Sequence, residues 1–146
     1  MTETPSAETV SAGLYQDVQQ FYGKQMQLLD DGDAAGWADS FTVDGTFQAN
    51  VRPDPVVGRE AIRRGAQQSL DRLAAEKLVW RHWFGMLTLA ERPDGSVFAR
   101  CYAQILESAA GGATTVRSST VCEDVLVRDG GRWLVRSRHV RRDGIA

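Results

Sequence analysis

Between Val10 and Leu29 apolar side chains return every three or four residues, at Val10, Leu14, Tyr15, Val18, Phe21, Tyr22, Met26 and Leu29. Such spacing lays one apolar stripe along a helix and predicts a long first helix. The run DDGD ends it, because Gly32 can take the left-handed backbone that closes a helix and Asp33 suits the cap of the next one. A short second helix is predicted from about Ala34 to Ser40. Asp44 and Gly45 form a turn pair, and β-branched and aromatic residues around it predict a strand near Thr46 to Asn50 that RPDP breaks. The stretch VGREAIRRGAQQSLDRLAAEK then reads as a third helix with Ile62, Ala66, Leu70 and Leu73 on its inner face.

The period changes in the second half. Leu78 to Ala90 and Ser96 to Ser108 are strand-like runs joined at the turn residues of RPDGS. A second hairpin runs from Thr114 to Arg128, through Asp129 to Gly131, and back from Arg132 to about Arg142. Helices first and a long antiparallel meander second predict an α+β fold, with the helices packed on one face of a curved sheet.

Alternation along the strands assigns faces. Leu78, Trp80, His82, Phe84 and Met86 share one face, against Val79, Arg81, Trp83, Gly85, Leu87 and Leu89. Ala99, Cys101, Ala103, Ile105 and Glu107 share a face on the next strand, where small side chains leave space and Glu107 stands near the edge. On the last strand Trp133, Val135, Ser137, His139 and Arg141 are expected together, opposite Arg132, Leu134, Arg136, Arg138 and Val140. Both faces of the Leu78 strand are largely apolar, so the side away from the helices needs a cover of its own.

Composition narrows the class. A chain of 146 residues suits one domain, predicted over residues 11–146 behind a disordered leader at 1–10. With 42% hydrophobic and 25% charged residues, and no apolar run of membrane-spanning length, a soluble protein without a membrane partner is expected. The N-terminus has no basic start or apolar segment, so a secretory signal is not expected and a cytoplasmic location is. Cys101 and Cys122 lie inside strand-like runs without metal-ligand spacing and read as buried free thiols. A formal charge of −2 argues against nucleic acid as a partner despite the basic run RSRHVRRDG. No GxGxxG, P-loop or HExxH is present, and the chain's two histidines with scattered acids do not resemble a metal site, so no cofactor or metal is expected.

The segments LLDDGDAAGWADSFTVDGTF, VGREAI, the RHW strand, FARCYAQILES and DGGRWLVRSRHVRRDG occur in an order that resembles the nuclear-transport-factor-2-like superfamily of cone-shaped α+β barrels. More narrowly, they resemble its SnoaL-like and scytalone-dehydratase-like branch, which includes proteins similar to the β subunits of ring-hydroxylating dioxygenases. The likeness spans about Leu14 to Gly144. It implies three N-terminal helices on a curved, mainly antiparallel sheet, and a homodimer that covers the second sheet face. Because this fold serves cyclases, dehydratases, isomerases and non-catalytic subunits alike, individual residues have to decide function.

His82, between two tryptophans in VWRHWFG, is the first such residue. Read locally, Asp30 is a solvated carboxylate at a helix end. The resemblance implies instead that the aspartate closing the first helix points into the cone and pairs with the third-strand histidine, here His82. A neutral imidazole can remove a proton from carbon beside a carbonyl, and a neighbouring carboxylate fixes its tautomer. Glu107 is a candidate acid or substrate contact. Arg141 matches an arginine that in related dehydratases holds an oxygen-rich substrate at the pocket mouth, whereas His139 also reads as a structural salt link. Trp37, Phe47, Trp80 and Phe84 are expected around the cavity, with Tyr22 and Tyr102 as substitutes for the substrate-binding tyrosines of scytalone dehydratase, since Leu29 stands where one would be. The reading is a cofactor-independent dehydratase or cyclase acting on an aromatic or cyclic polyketide intermediate of secondary metabolism. Its alternative is a non-catalytic protein that binds and protects such an intermediate or serves a partner oxygenase.

Overall fold

The computed structural model describes residues 9–145, and only Thr9 and Val10 of the expected leader fall within that span, the rest lying outside it. Helix α1 runs Ala12–Asp30, opened by Ser11, whose Oγ accepts the Leu14 N–H at 3.0 Å. Gly32 takes a φ of 91° to turn the chain, and Asp33 caps the short α2, Ala34–Ala38. A Cβ on Gly36 would meet an Asp33 carboxylate oxygen at 2.5 Å, so glycine is what lets that cap close over the Gly36 N–H.

Strand β1 is Phe41–Ala49, β2 is Val56–Val57, and α3 is Arg59–Glu76. The meander follows as β3, Leu78–Glu91, β4, Val97–Ala109, β5, Thr114–Asp129, and β6, Arg132–Arg142. Six strands form one curved, unclosed sheet in the order β2-β1-β6-β5-β4-β3. All neighbours are antiparallel except β1 and β6. Asp44 and Gly45, expected as a turn pair ahead of the strand, sit inside β1, where its register with β6 shifts between Phe41 and Thr46. Val57 pairs with Thr46, and Gly58 directly precedes α3.

The three helices cover the concave face. Val18, Tyr22 and Met26 of α1 pack with Trp37, Phe41 and Ile62 against Leu89, Val97, Ala99, Leu126, Trp133 and Val135 of the sheet. This core fills the closed end of the cone, while the other end stays open between α3 and β3.

Two bulges reverse the simple alternation. On β3, Met86 and Leu87 together oppose Cys101, since Gly85 pairs with Tyr102 and Thr88 with Arg100. Met86 takes a φ of 56° and faces outward, which returns Leu87 and Leu89 to the core side. On β6, Val135 pairs with Leu126 and Ser137 with Val125, leaving Arg136 as the extra residue. Trp133 and Val135 therefore point inward as expected, but beyond the bulge it is Arg138 and Val140 that do so. His139 and Arg141 turn to the outer side.

Among the described residues no helix is long and apolar enough to cross a membrane. Cys101 and Cys122 are free, buried and directly paired across β4 and β5.

Because Leu126 is fully buried in the closed end and Val43 is 73% exposed, their truncations separate core packing from surface effects. Leu126→Ala is expected to lower unfolding free energy by about 2–5 kcal/mol in urea titrations. Val43→Ala should change it by no more than about 0.5 kcal/mol.

Candidate active site

Between α1, α3 and the concave face of the sheet lies a cavity of about 510 Å³. Its size follows from side-chain choice. The sheet contributes Ala103, Thr120 and Cys122 where larger residues would fill the space, and α3 presents Gly65, Ala66, Ser69 and Ala74. Trp37, Phe47, Trp80 and Phe84 supply apolar wall. Such a hollow suits a small, flat, mostly apolar molecule.

Two polar groups meet at its wall. Asp30 is the last residue of α1, and its Oδ1 lies 2.6 Å from His82 Nδ1. Its other oxygen, Oδ2, accepts the His82 backbone N–H at 3.0 Å. The carboxylate thus grips the histidine at two points, and the side chains of His82 and Asp30 are only 17% and 10% exposed. A carboxylate cannot donate at neutral pH, so the short contact assigns the ring proton to Nδ1. In the neutral ring Nε2 then carries the lone pair. Since His82 lines the cavity, this arrangement can act as a base toward a bound molecule.

A second polar group lies deeper. Arg138 and Asp124 pair with side chains 2% and 0% exposed. Arg138 donates from Nε to Asp124 Oδ1 and from Nη2 to Asp124 Oδ2, both at 2.9 Å, and Nη2 also reaches Gln25 Oε1 at 2.7 Å. Tyr22 donates its hydroxyl to Asp124 Oδ2 at 2.5 Å. Burial and then the Asp124 charge push the Tyr22 phenol well above its ordinary range, so it remains a donor. Burial opposes the charge on Arg138, but the Asp124 carboxylate more than offsets it and raises the guanidinium further. The hydrogen bond with Cys101, followed by burial, holds Cys122 well above the usual thiol range and keeps it protonated.

The expected site residues divide accordingly. Asp30, His82, Trp37, Phe47, Trp80 and Phe84 all line the cavity. Tyr22 is buried behind the wall, its hydroxyl committed to Asp124. Glu107 accepts the Trp80 indole N–H at 2.7 Å and lies 3.6 Å from Arg117, so it orients a wall residue and does not line the hollow. Tyr102 is on the outer face, under the Arg100 guanidinium. Arg141 is also outside, donating to Glu123 at 2.9 Å, and His139 stands across from Glu123 in the β5 to β6 pairing. The expected inward placement of His139 and Arg141 is corrected by the Arg136 bulge, which shifts the alternation by one residue. Arg138, Asp124, Gln25, Thr120 and Cys122 were not expected at the site. Asp124 carried a usable signal, a carboxylate inside the apolar run VCEDVLV, where only a buried partner would let it stay.

Comparison with known proteins agrees with this architecture. Residues 11–139 match the SnoaL-like domain model. The protein ActVI-ORFA of Streptomyces coelicolor is 38% identical with a TM-score of 0.86, over 93% of this chain and 99% of that one. Aln2 of a Streptomyces species is 36% identical with a TM-score of 0.85, over 92% and 94% respectively. A Catenulispora acidiphila protein solved in complex with S-DNPA is 41% identical with a TM-score of 0.82, over 91% and 96%. A putative scytalone dehydratase of Novosphingobium aromaticivorans shares the fold at a TM-score of 0.73 with 13% identity. No curated protein sequence matches the chain. The match across most of the chain and the shared cone architecture make this protein a member of the SnoaL-like domain family.

Proposed function

We propose that this SnoaL-like protein is a cofactor-independent dehydratase or cyclase acting on a cyclic or aromatic polyketide intermediate in secondary metabolism, with His82 as general base and Asp30 as the group that orients it. The observation that carries this reading is the two-point grip of Asp30 on His82 at the wall of an apolar cavity. That the Catenulispora relative was solved in complex with S-DNPA supports a ligand-binding role here.

In this reading Nε2 of His82 takes a proton from the carbon beside a substrate carbonyl. The C–H electron pair moves into the enolate, and the imidazolium that forms faces the Asp30 carboxylate, which stabilises it. Expulsion of a β-hydroxyl, with that proton returned to the leaving oxygen, releases water and gives the dehydrated product. Return of the proton to carbon would give isomerisation, and attack of the enolate carbon on a second carbonyl would give cyclisation. Each route begins with the same proton removal. Exclusion of water from the cavity strengthens the ion pair and limits side reactions.

The second reading is a binding or accessory protein for the same class of intermediate. One contact favours it: Asp30 also ties the end of α1 to the β3 backbone, a purely structural use of the carboxylate. Hydrogen–deuterium exchange at C2 of 1-tetralone separates the two, since it reports the shared first step without requiring the natural substrate. His82→Ala is expected to reduce protein-catalysed exchange by about 10²–10⁴-fold. Asp30→Asn should reduce it by a smaller factor, and both variants should still bind the ketone. Binding to the wild type without any catalysed exchange would instead favour the accessory reading.

We further propose a homodimer through the outer sheet face, where Val79, Trp83, Met86, Tyr102 and Val116 are exposed and Trp83 alone is 66% so. Trp83→Lys should convert a dimer to monomer in sedimentation velocity at micromolar concentration. A wild-type protein that sediments as a monomer there rejects this interface.

A further inference from the structure

The buried guanidinium at the closed end has more donors than its protein partners use. Of the Arg138 nitrogens, Nε and Nη2 are committed to Asp124 and Gln25, and Nη1 makes no hydrogen bond among the described residues. Arg138 is 3% exposed and is one of the residues that border the cavity, and Nη1 is the nitrogen of its fork that the protein leaves uncommitted. An unused donor on an ionised group in that setting calls for an acceptor.

The strand pairings give its depth. Arg138 shares a row with Asp124 and Ala99, toward the closed end, whereas His82 shares a row with Ile105 nearer the opening. Between those rows the cavity-lining positions of the sheet include Ala103, Thr120 and Cys122, whose side chains are short. Thr120 spends its hydroxyl proton on the Ala103 carbonyl. Asp124 already accepts from Tyr22 and twice from Arg138, so the guanidinium is fixed in orientation before any ligand arrives.

We propose that Arg138 Nη1 is a substrate-binding donor that receives a carbonyl, phenolate or carboxylate oxygen at the closed end of the cavity, remote from the edge that faces His82. The ligand class is a fused-ring molecule with an oxygen on the edge that enters first. Arg138 selects and orients such a molecule, while Asp124, Gln25 and Tyr22 position Arg138. This rests on the cavity being the ligand site, as proposed above, but not on catalysis there.

The test uses intrinsic tryptophan fluorescence, with 1-tetralone and tetralin as a pair of bicyclic probes that differ by one carbonyl oxygen. The wild type is expected to bind 1-tetralone roughly ten- to a hundredfold more tightly than tetralin, the range that a hydrogen bond from a charged donor gives. His82→Ala should keep that preference. Arg138→Lys, which retains the charge facing Asp124 but loses the free arm of the fork, should reduce it to about twofold or less with tetralin affinity unchanged. Should Arg138→Lys not fold, the paired change Arg138→Met with Asp124→Leu removes both charges and gives the same readout. An oxygen preference that persists in either Arg138 variant, or that vanishes in His82→Ala, overturns the assignment. Tetralin binding without any ketone preference in the wild type overturns it while leaving the cavity reading intact, and failure of both probes to bind overturns both.

Discussion

The buried pair of Arg138 and Asp124 sets the geometry on which the rest of the cone depends. Moving either charge out of water costs several kcal/mol, so each must be met by the other and by neutral partners. Those partners come from α1, where Tyr22 serves Asp124 and Gln25 serves Arg138. Gln25 also donates to Ser40 at 2.7 Å, which brings the chain after α2 into the same arrangement. The helix can satisfy these groups in only one rotation and one height over the sheet. Asp30 lies eight residues beyond Tyr22, about 12 Å along the same helix. Fixing Tyr22 and Gln25 therefore fixes where α1 ends, and it ends against His82. The catalytic pair proposed near the opening is positioned by a polar network at the closed end.

Curvature and cavity have a common origin in the bulges. The extra residue at Met86 and Leu87 bends β3 and sends one side chain out at positive φ, so the core receives Leu87 and Leu89. The extra residue at Arg136 does the same for β6 and brings Arg138 inside. A third shift, at Arg117 on β5, falls opposite Ile105 and Leu106. Each raises local twist, so the long hairpins wrap around the helices where a flat sheet would leave them. Short side chains at Ala103, Thr120 and Cys122 then leave open what the curvature encloses.

Aromatic residues serve different ends on the two sides. Inside, Phe84 packs edge-on to Tyr22 with ring centroids 5.3 Å apart, and Trp37 likewise with Phe41 at 5.0 Å. Trp80 is held from both directions, by Glu107 at its indole N–H and by the Arg72 guanidinium 5.6 Å from its ring centre. Outside, Trp83 and Tyr102 stand in solvent in the single chain.

The family likeness, and not any local pattern, named Asp30 as the partner of His82; the sequence alone determined the α+β class and the succession of helices and long strands. These are local or periodic properties: a helix stripe recurs every three to four residues, turn residues mark hairpins, and the segment order carries the family likeness. Trp80 and Phe84 were legible as wall residues because the alternation of β3 is regular up to Phe84, whereas Trp37 and Phe47 were expected there only from their aromatic character. Past a bulge, parity fails. One uncounted residue at Arg136 exchanged Arg138 for Arg141 and His139, and one at Met86 exchanged Leu87 and Leu89 for Met86. Nothing in the adjacent residues marks those insertions, because a bulge is defined by what lies across the strand pair. The tertiary structure alone decided which arginine is buried, since that depends on Asp124 fourteen residues away and Gln25 on a distant helix meeting it where water is excluded.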